Sequence, residues 1–328
     1  MSSEAANRAS AAPDKTYAAH TLVARREGRV RQHLRWLRRD GLARLVEEDD
    51  LHPIARLARA RRQHAWRSAT AAQPPSRAVF VVGAQRSGTN LVLRTLAAHP
   101  ALATRNENDR RVFRDYQLRD DRRVIETVER SAQHAVVFKP LCDSHRVDAL
   151  LALPFSRAPR AVWVYRNVDD RVRSAVRKFG SHNRDVLAAI AAARTVPAIW
   201  QAGGLEAQHL DLIRSLGVAA LTPESGAALF WYLRNVRFFD LALHERTDVL
   251  PLDYDAFVAR PGQQIPRLCR FLDLDPAVLL ATAPDAIDPN RSVPSGEPGS
   301  SARRVFEIDG RVRARCDDLA ARFAALQG

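Results

Sequence analysis

The stretch AVFVVGAQRSGTNLVLRTLAAHP, Ala78 to Pro100, decides the fold. Val79 to Val82 is an apolar, β-branched run of the kind that forms a buried strand. It enters Gly83, passes through Ala84-Gln85-Arg86-Ser87 and reaches Gly88. From Thr89 the apolar positions Leu91, Val92, Leu93, Leu96 and Ala97 follow a helical period, which closes at His99-Pro100. Strand, glycine loop and helix together make an anion cradle. The glycines admit a close backbone approach, the first N–H groups of the helix have no partner within it, and its dipole favours negative charge there.

The loop departs from the nucleoside-triphosphate form G-x-x-x-x-G-K-[ST]. Gly83 and Gly88 keep the spacing, but Thr89 stands where the lysine belongs, and Arg86 is the loop's cation. A triphosphate chain needs that lysine and a neighbouring magnesium ligand; a single phosphate-like group needs neither.

The 328 residues, 46% of them apolar, suffice for one large α/β domain or two small ones. No run of about 18 apolar residues suggests a membrane span. The opening MSSEAANRASAAPDK lacks the apolar core of a secretory signal, and the three scattered cysteines, Cys142, Cys269 and Cys316, form neither a disulfide framework nor a metal pattern. These features set the expectation of a cytoplasmic protein without a metal site. The net charge of +14 suits an anionic ligand, whereas no aromatic-interleaved basic groove or DNA-reading motif supports nucleic acid as a partner. Arginine supplies nearly all the positive charge, since lysine occurs only at Lys15, Lys139 and Lys178. A lysine retained in such a chain marks a place where a compact ammonium does what a planar fork cannot.

Residues 1–17 read as a disordered tail and 18–76 as an N-terminal helical segment ending in the linker Gln73-Pro74-Pro75-Ser76. The main domain spans 77–328. Further strands are expected at Ala101–Thr104, Ala135–Phe138, Ala161–Tyr165 and Val249–Leu252, with Arg111–Ser131 mostly helical between the first two. Strands alternating with helices predict an α/β fold with a parallel, doubly wound sheet. In such sheets ligands bind beyond the carboxyl ends of the strands, which gathers Arg86, Glu107, Lys139 and Arg166. Residues 181–221 lack strand character and read as a helical insertion, a lid or substrate wall. Pro284–Ser301 is rich in proline, glycine and serine and reads as a mobile loop, before a closing helix over Val312–Leu326.

Two motifs carry a family resemblance. Gln85-Arg86-Ser87-Gly88-Thr89-Asn90 resembles the 5′-phosphosulfate loop, [RK]-S-G-T-[TS], of sulfotransferases that use 3′-phosphoadenosine 5′-phosphosulfate (PAPS). Tyr165-Arg166-Asn167-Val168-Asp169-Asp170-Arg171-Val172-Arg173-Ser174 resembles their 3′-phosphate motif, R-D-P-R-D-x-x-x-S, with the separation of Arg166 and Ser174 kept. Weaker similarity runs through Phe230-Trp231, Asp253-Tyr254 and the closing helix. The resemblance implies a metal-free enzyme that binds PAPS through Arg86, Ser87, Gly88, Thr89, Asn90, Arg166 and Ser174. It would transfer the sulfuryl group to a hydroxyl of a carbohydrate, a peptide tyrosine or a small molecule, and release 3′,5′-ADP.

There are departures. Asn90 replaces a Thr or Ser, and Asn167-Val168 replaces Asp-Pro. The cytosolic members carry Lys-Thr-His after the third strand, with the histidine as base; here the sequence is Lys139-Pro140-Leu141. Members acting on carbohydrate or peptide tyrosine use a glutamate shortly after the first helix and second strand, which implies Glu107 as the base. Charge developing on the transferring group calls for fixed cations, and Arg86 and Lys139 are the candidates. Competing readings stand beside these. Arg166 could pair with Asp169 or Asp170, Ser174 could be an ordinary helix serine, and Lys139 and Glu107 could be surface groups, with His145 as a fallback base. Arg291, Arg303 and Arg304 are alternatives for a late basic contact to the 3′-phosphate. For the whole chain, the alternatives are a P-loop kinase-like phosphotransferase and a non-catalytic nucleotide- or polyanion-binding protein.

Overall fold

The computed structural model describes residues 53–70, 74–282 and 306–326. The tail at 1–17, the N-terminal segment up to residue 52, the loop at 284–301 and Arg291, Arg303 and Arg304 lie outside the described residues. Two compact units divide the chain, Met1–Ala58 and Arg59–Gly328; apart from residues 53–58 at the start of helix α1, Pro53–Ala69, everything that follows lies in the second. There the Gln63 amide donates to the Leu102 carbonyl at 2.6 Å.

Strand β1, Arg77–Gly83, is buried along its whole length. Apolar side chains on both of its faces require cover on both, and this puts β1 in the middle of the sheet. The other strands are β2 Leu102–Arg105, the short pair β3 Phe113–Arg114 and β4 Gln117–Leu118, β5 Ala135–Phe138, β6 Arg160–Tyr165 and β7 Val249–Asp253. The main sheet runs β2-β5-β1-β6-β7 and is parallel throughout. Val79 and Val81 join one core cluster, with Val162, Val164 and Leu96; Phe80 and Val82 join the other, with Phe138, Trp163 and Phe238. That alternation is the strand period of two. Each fully buried Val or Phe contributes roughly 1.5–3 kcal/mol of transfer free energy.

The helices are α2 Thr89–Ala97, α3 Asp121–Glu129, α4 Val147–Leu151, α5 Val168–Phe179, α6 His182–Ala192, α7 Ala207–Ser215, α8 Pro223–Asp240, α9 Tyr254–Ala259, α10 Pro261–Leu272, α11 Pro276–Thr282 and α12 Gly310–Ala325. α5 and α12 pack on α8, and α6 and α7 of the insertion join the same layer. Cys142, Cys269 and Cys316 are buried free thiols. No described helix is long and apolar enough to cross a membrane.

One expected element is different. Arg111–Ser131 is not mostly helical: β3 and β4 pair as an antiparallel hairpin, and only Asp121–Glu129 is helix, capped by Asp120. The two-residue turn, Asp115-Tyr116, has both φ angles positive, at 51° and 68°. Such turns ordinarily carry Asn-Gly or Asp-Gly, so the local signal was absent. A long-range contact holds the hairpin instead, with the Leu118 N–H donating to Asp143 Oδ2 at 2.7 Å.

Gly83 shows how the fold shapes the loop. Its φ is 135°, and an added Cβ would fall well inside the contact distance of the Val164 carbonyl oxygen on β6. Gly83→Ala must distort either the β1–β6 pairing or the loop. The expected cost is about 3 kcal/mol or more, read as a Tm lower by about 10 °C in thermal unfolding. A Tm within 2–3 °C of wild type, roughly the shift of 1 kcal/mol, would contradict this.

Candidate functional site

After Gly83 the chain makes a β-turn over Ala84–Ser87, closed by the Ser87 N–H donating to the Ala84 carbonyl at 3.3 Å. Arg86 occupies its third position at φ 69°, a conformation that costs a non-glycine residue free energy. Ser144 braces the loop's start, accepting from the Gly83 N–H at 3.1 Å. Gly88, at φ 91°, precedes α2, and no side chain caps that helix. A Cβ on Gly88 would land in the Tyr254 ring, so the ring packs against the loop where only glycine fits. The Ser87 hydroxyl is fully buried and makes no hydrogen bond.

The sheet order makes β2, β5 and β1 neighbours, so the residues after these three strands converge. Lys139, just past β5 and only 5% exposed, donates to Asn90 Oδ1 at 2.6 Å and to Glu107 Oε2 at 2.8 Å. Its backbone N–H donates to the Arg105 carbonyl at 3.0 Å, tying β5 to the start of the Glu107 loop. Asp109 closes that loop by accepting at its carbonyl from Val112 and Phe113. Lys139 and Glu107 are therefore not surface groups, as the competing reading had them, but a largely buried ion pair.

On the other side of β1, β6 delivers Arg166. Its guanidinium stacks 4.8 Å over the Tyr254 ring, and its carbonyl accepts from the Trp231 indole N–H at 2.9 Å. Asp170 and Asp255 lie 3.8 and 3.6 Å from it, and Arg166 Nε is buried without a hydrogen bond. Asp169, the other carboxylate considered for Arg166, pairs with Arg313 at 2.6 Å. Asn167 caps α5 by accepting from the Asp170 N–H at 2.9 Å. Ser174, about two turns on and 6% exposed, accepts from Arg86 Nε at 3.0 Å. This bond joins the two motifs across a separation of 88 residues.

The candidate residues thus form three groups around the Gly83–Gly88 loop: Asn90, Glu107 and Lys139; Arg86 and Ser174; Gly88, Tyr254 and Arg166. Beside Arg166 opens a cavity of about 600 Å³, lined among others by Trp231, Asp255, Arg260 and Gln264. His145 stands apart. It packs on Gly203, where a Cβ would meet its ring at 2.7 Å. Burial, aided by the Arg234 charge, pushes the pKa of His145 down to about 4. Burial, then Glu107, raises the Cys142 thiol far above the usual range, so it is not a nucleophile at neutral pH.

Sequence reasoning passed over Arg171. It is fully buried, donating from Nε to the Gln85 carbonyl at 3.1 Å and from Nη1 to the Ala227 carbonyl at 2.6 Å. A signal was present: Val168, Arg171, Val172 and Ala175 form the inward face of α5, and Arg171 is the one charged residue on it.

The sulfotransferase family model matches residues 78–193. None of the curated proteins matches the chain. Among solved structures, the sulfotransferase domain of the Synechococcus PCC 7002 olefin synthase is 16% identical, with 78% of this chain and 97% of that one covered and a TM-score of 0.45. A sulfotransferase from Alicyclobacillus acidocaldarius is 18% identical over 78% and 93%, with a TM-score of 0.37. A mouse sulfotransferase complexed with PAP is 11% identical over 76% and 88%, with a TM-score of 0.37.

Proposed function

We propose, from the premise that the chain belongs through residues 78–193 to the sulfotransferase family, that it transfers a sulfuryl group from PAPS to a hydroxyl acceptor. The observation that carries this reading is the Arg86–Ser174 hydrogen bond, which brings the two motifs together. The residues fit the donor. A buried, unpartnered Ser87 hydroxyl, an Arg166 Nε that faces Asp255 at 3.6 Å without a hydrogen bond, and a glycine cradle closed by Tyr254 are what a phosphate-bearing ligand would engage.

Arg86, Ser87, Gly88, Thr89 and Asn90 would hold the 5′-phosphosulfate, and Arg166 with Ser174 the 3′-phosphate through charge-assisted hydrogen bonds. When bound, the donor supplies an activated sulfuryl group and 3′,5′-ADP as its leaving group. Lys139 has three N–H donors. Two are committed to Asn90 and Glu107, which leaves one for an oxygen on which charge develops. Its position is set before any ligand arrives, the condition under which such a cation is most effective. Glu107 would accept the proton of the acceptor hydroxyl at its carboxylate. The acceptor is a hydroxyl of a carbohydrate, a peptide tyrosine or a small molecule.

A thermal-shift measurement tests the reading. With 3′,5′-ADP at about a hundred times its Kd, the expected stabilisation is about 2.7 kcal/mol, a rise in Tm of several °C, without magnesium. Stabilisation only by ATP with magnesium would replace this reading with a kinase-like one. Binding of 3′,5′-ADP without sulfuryl transfer to any acceptor class would leave a nucleotide-binding protein.

A further inference from the structure

We infer that Arg171 is a positioning residue that locks the central peptide of the phosphate loop in one of its two orientations. In doing so it would also set the site that receives the donor. The first part stands on the loop itself; the second rests on the donor reading above.

Arg86 has a positive φ at the third position of the Ala84–Ser87 turn, while Gln85 does not. That combination is a type II turn, which ordinarily carries glycine or asparagine there. Type I differs by rotation of the central peptide, here Gln85–Arg86, and suits almost any residue. Left to itself, the sequence Gln-Arg favours type I. Left-handed geometry costs a residue such as arginine about 1–2 kcal/mol, so something must hold the observed turn.

Arg171 supplies it. Its Nε donates to the Gln85 carbonyl, the oxygen that would swing away if the peptide rotated. A hydrogen bond from a charged donor contributes about 1.5–3 kcal/mol, enough to reverse the preference. Arg171 is itself immobile. Its Nη1 donates to the Ala227 carbonyl on α8, its guanidinium lies 5.4 Å from the Phe230 ring centroid, and it is wholly buried. No described carboxylate pairs with it. Burial, followed by the Arg86 charge, lowers its pKa only to about 9, so it stays charged at neutral pH. The rotation would also carry Arg86 out of the conformation in which its Nε meets Ser174. The lock therefore reaches both motifs without Arg171 touching a ligand.

The test compares the full chain with Arg171→Met, Arg171→Lys and, as a control for lost stability alone, Leu187→Ala in the α6 core. In the ligand-free Arg171→Met crystal structure, Arg86 should have a negative φ and no bond to Ser174. Amide hydrogen exchange over 84–88 should be about tenfold faster than in wild type. Lysine can still donate to one carbonyl, so Arg171→Lys should recover part of the protection, while Leu187→Ala leaves loop exchange unchanged. Calorimetry should show binding of 3′,5′-ADP weakened about tenfold in Arg171→Met and partly restored in Arg171→Lys. Wild-type Arg86 geometry and wild-type loop exchange in Arg171→Met would overturn the lock. If Arg171→Met does not fold, fully wild-type loop exchange in Arg171→Lys, whose amine cannot reach both carbonyls, overturns it instead. A wild-type chain that binds no 3′,5′-ADP would sink the donor reading and leave the structural and exchange results to decide the lock.

Discussion

Lys139→Met lowers kcat about 10²–10³-fold, the range for removing one preorganised charge-stabilising donor, measured as release of 3′,5′-ADP in the presence of a hydroxyl acceptor. Methionine preserves the length and apolar contacts of the stem, so the loss reports on the ammonium. The variant also leaves the Glu107 carboxylate, 15% exposed, without its cation. Breaking a buried pair by removing one partner costs about 3–5 kcal/mol, and this pair is close to that limit, so the Tm should fall as well. Lys139→Arg separates charge from shape. The ammonium serves Asn90 and Glu107 at 2.6 and 2.8 Å from one atom, which a planar fork cannot reproduce. Arginine should therefore restore stability better than turnover. A Lys139→Arg enzyme with the wild-type rate would show that position 139 needs only positive charge.

Glu107→Gln abolishes proton acceptance while keeping size and the hydrogen bond to Lys139. The expected fall in kcat is about 10²–10⁴-fold, with binding of 3′,5′-ADP within about twofold; the amide oxygen still accepts from Nζ, but the buried Lys139 ammonium loses its counter-charge, so the Tm should fall here too. Turnover of Glu107→Gln at the wild-type rate would remove Glu107 from the mechanism and return the search to other groups near the loop. His145 would start at a disadvantage there, because burial and Arg234 hold it neutral with a pKa near 4.

Much of this site was legible before any coordinates. Gly83 and Gly88 were readable as loop residues because backbone geometry excludes a side chain at each. Lys139 stood out because an arginine-rich chain keeps so few lysines. The strand ends placed Arg86, Glu107, Lys139 and Arg166 on one edge, since a parallel sheet puts all its carboxyl ends on the same side. The helix expected over Arg111–Ser131 failed for an equally physical reason. Its hairpin is held by Asp143, 25 residues from Leu118, and no window of local sequence contains that contact.

What the sequence by itself determined is therefore the strand–loop–helix pattern and the two motifs that follow its strands. Glycines at two required positions, a cation between them and a second Arg…Ser motif after another strand are local properties, decided by backbone sterics and periodicity. Only the tertiary structure decided which groups meet. The order β2-β5-β1-β6-β7 sets Glu107 against Lys139 and Asn90 on one side of β1 and brings Ser174 to Arg86 on the other. The same packing placed Tyr254 on Gly88 and buried Arg171 beneath Gln85. Such contacts depend on chain segments roughly 30–170 residues apart closing around a common core, and their free energy exists only once that core has formed.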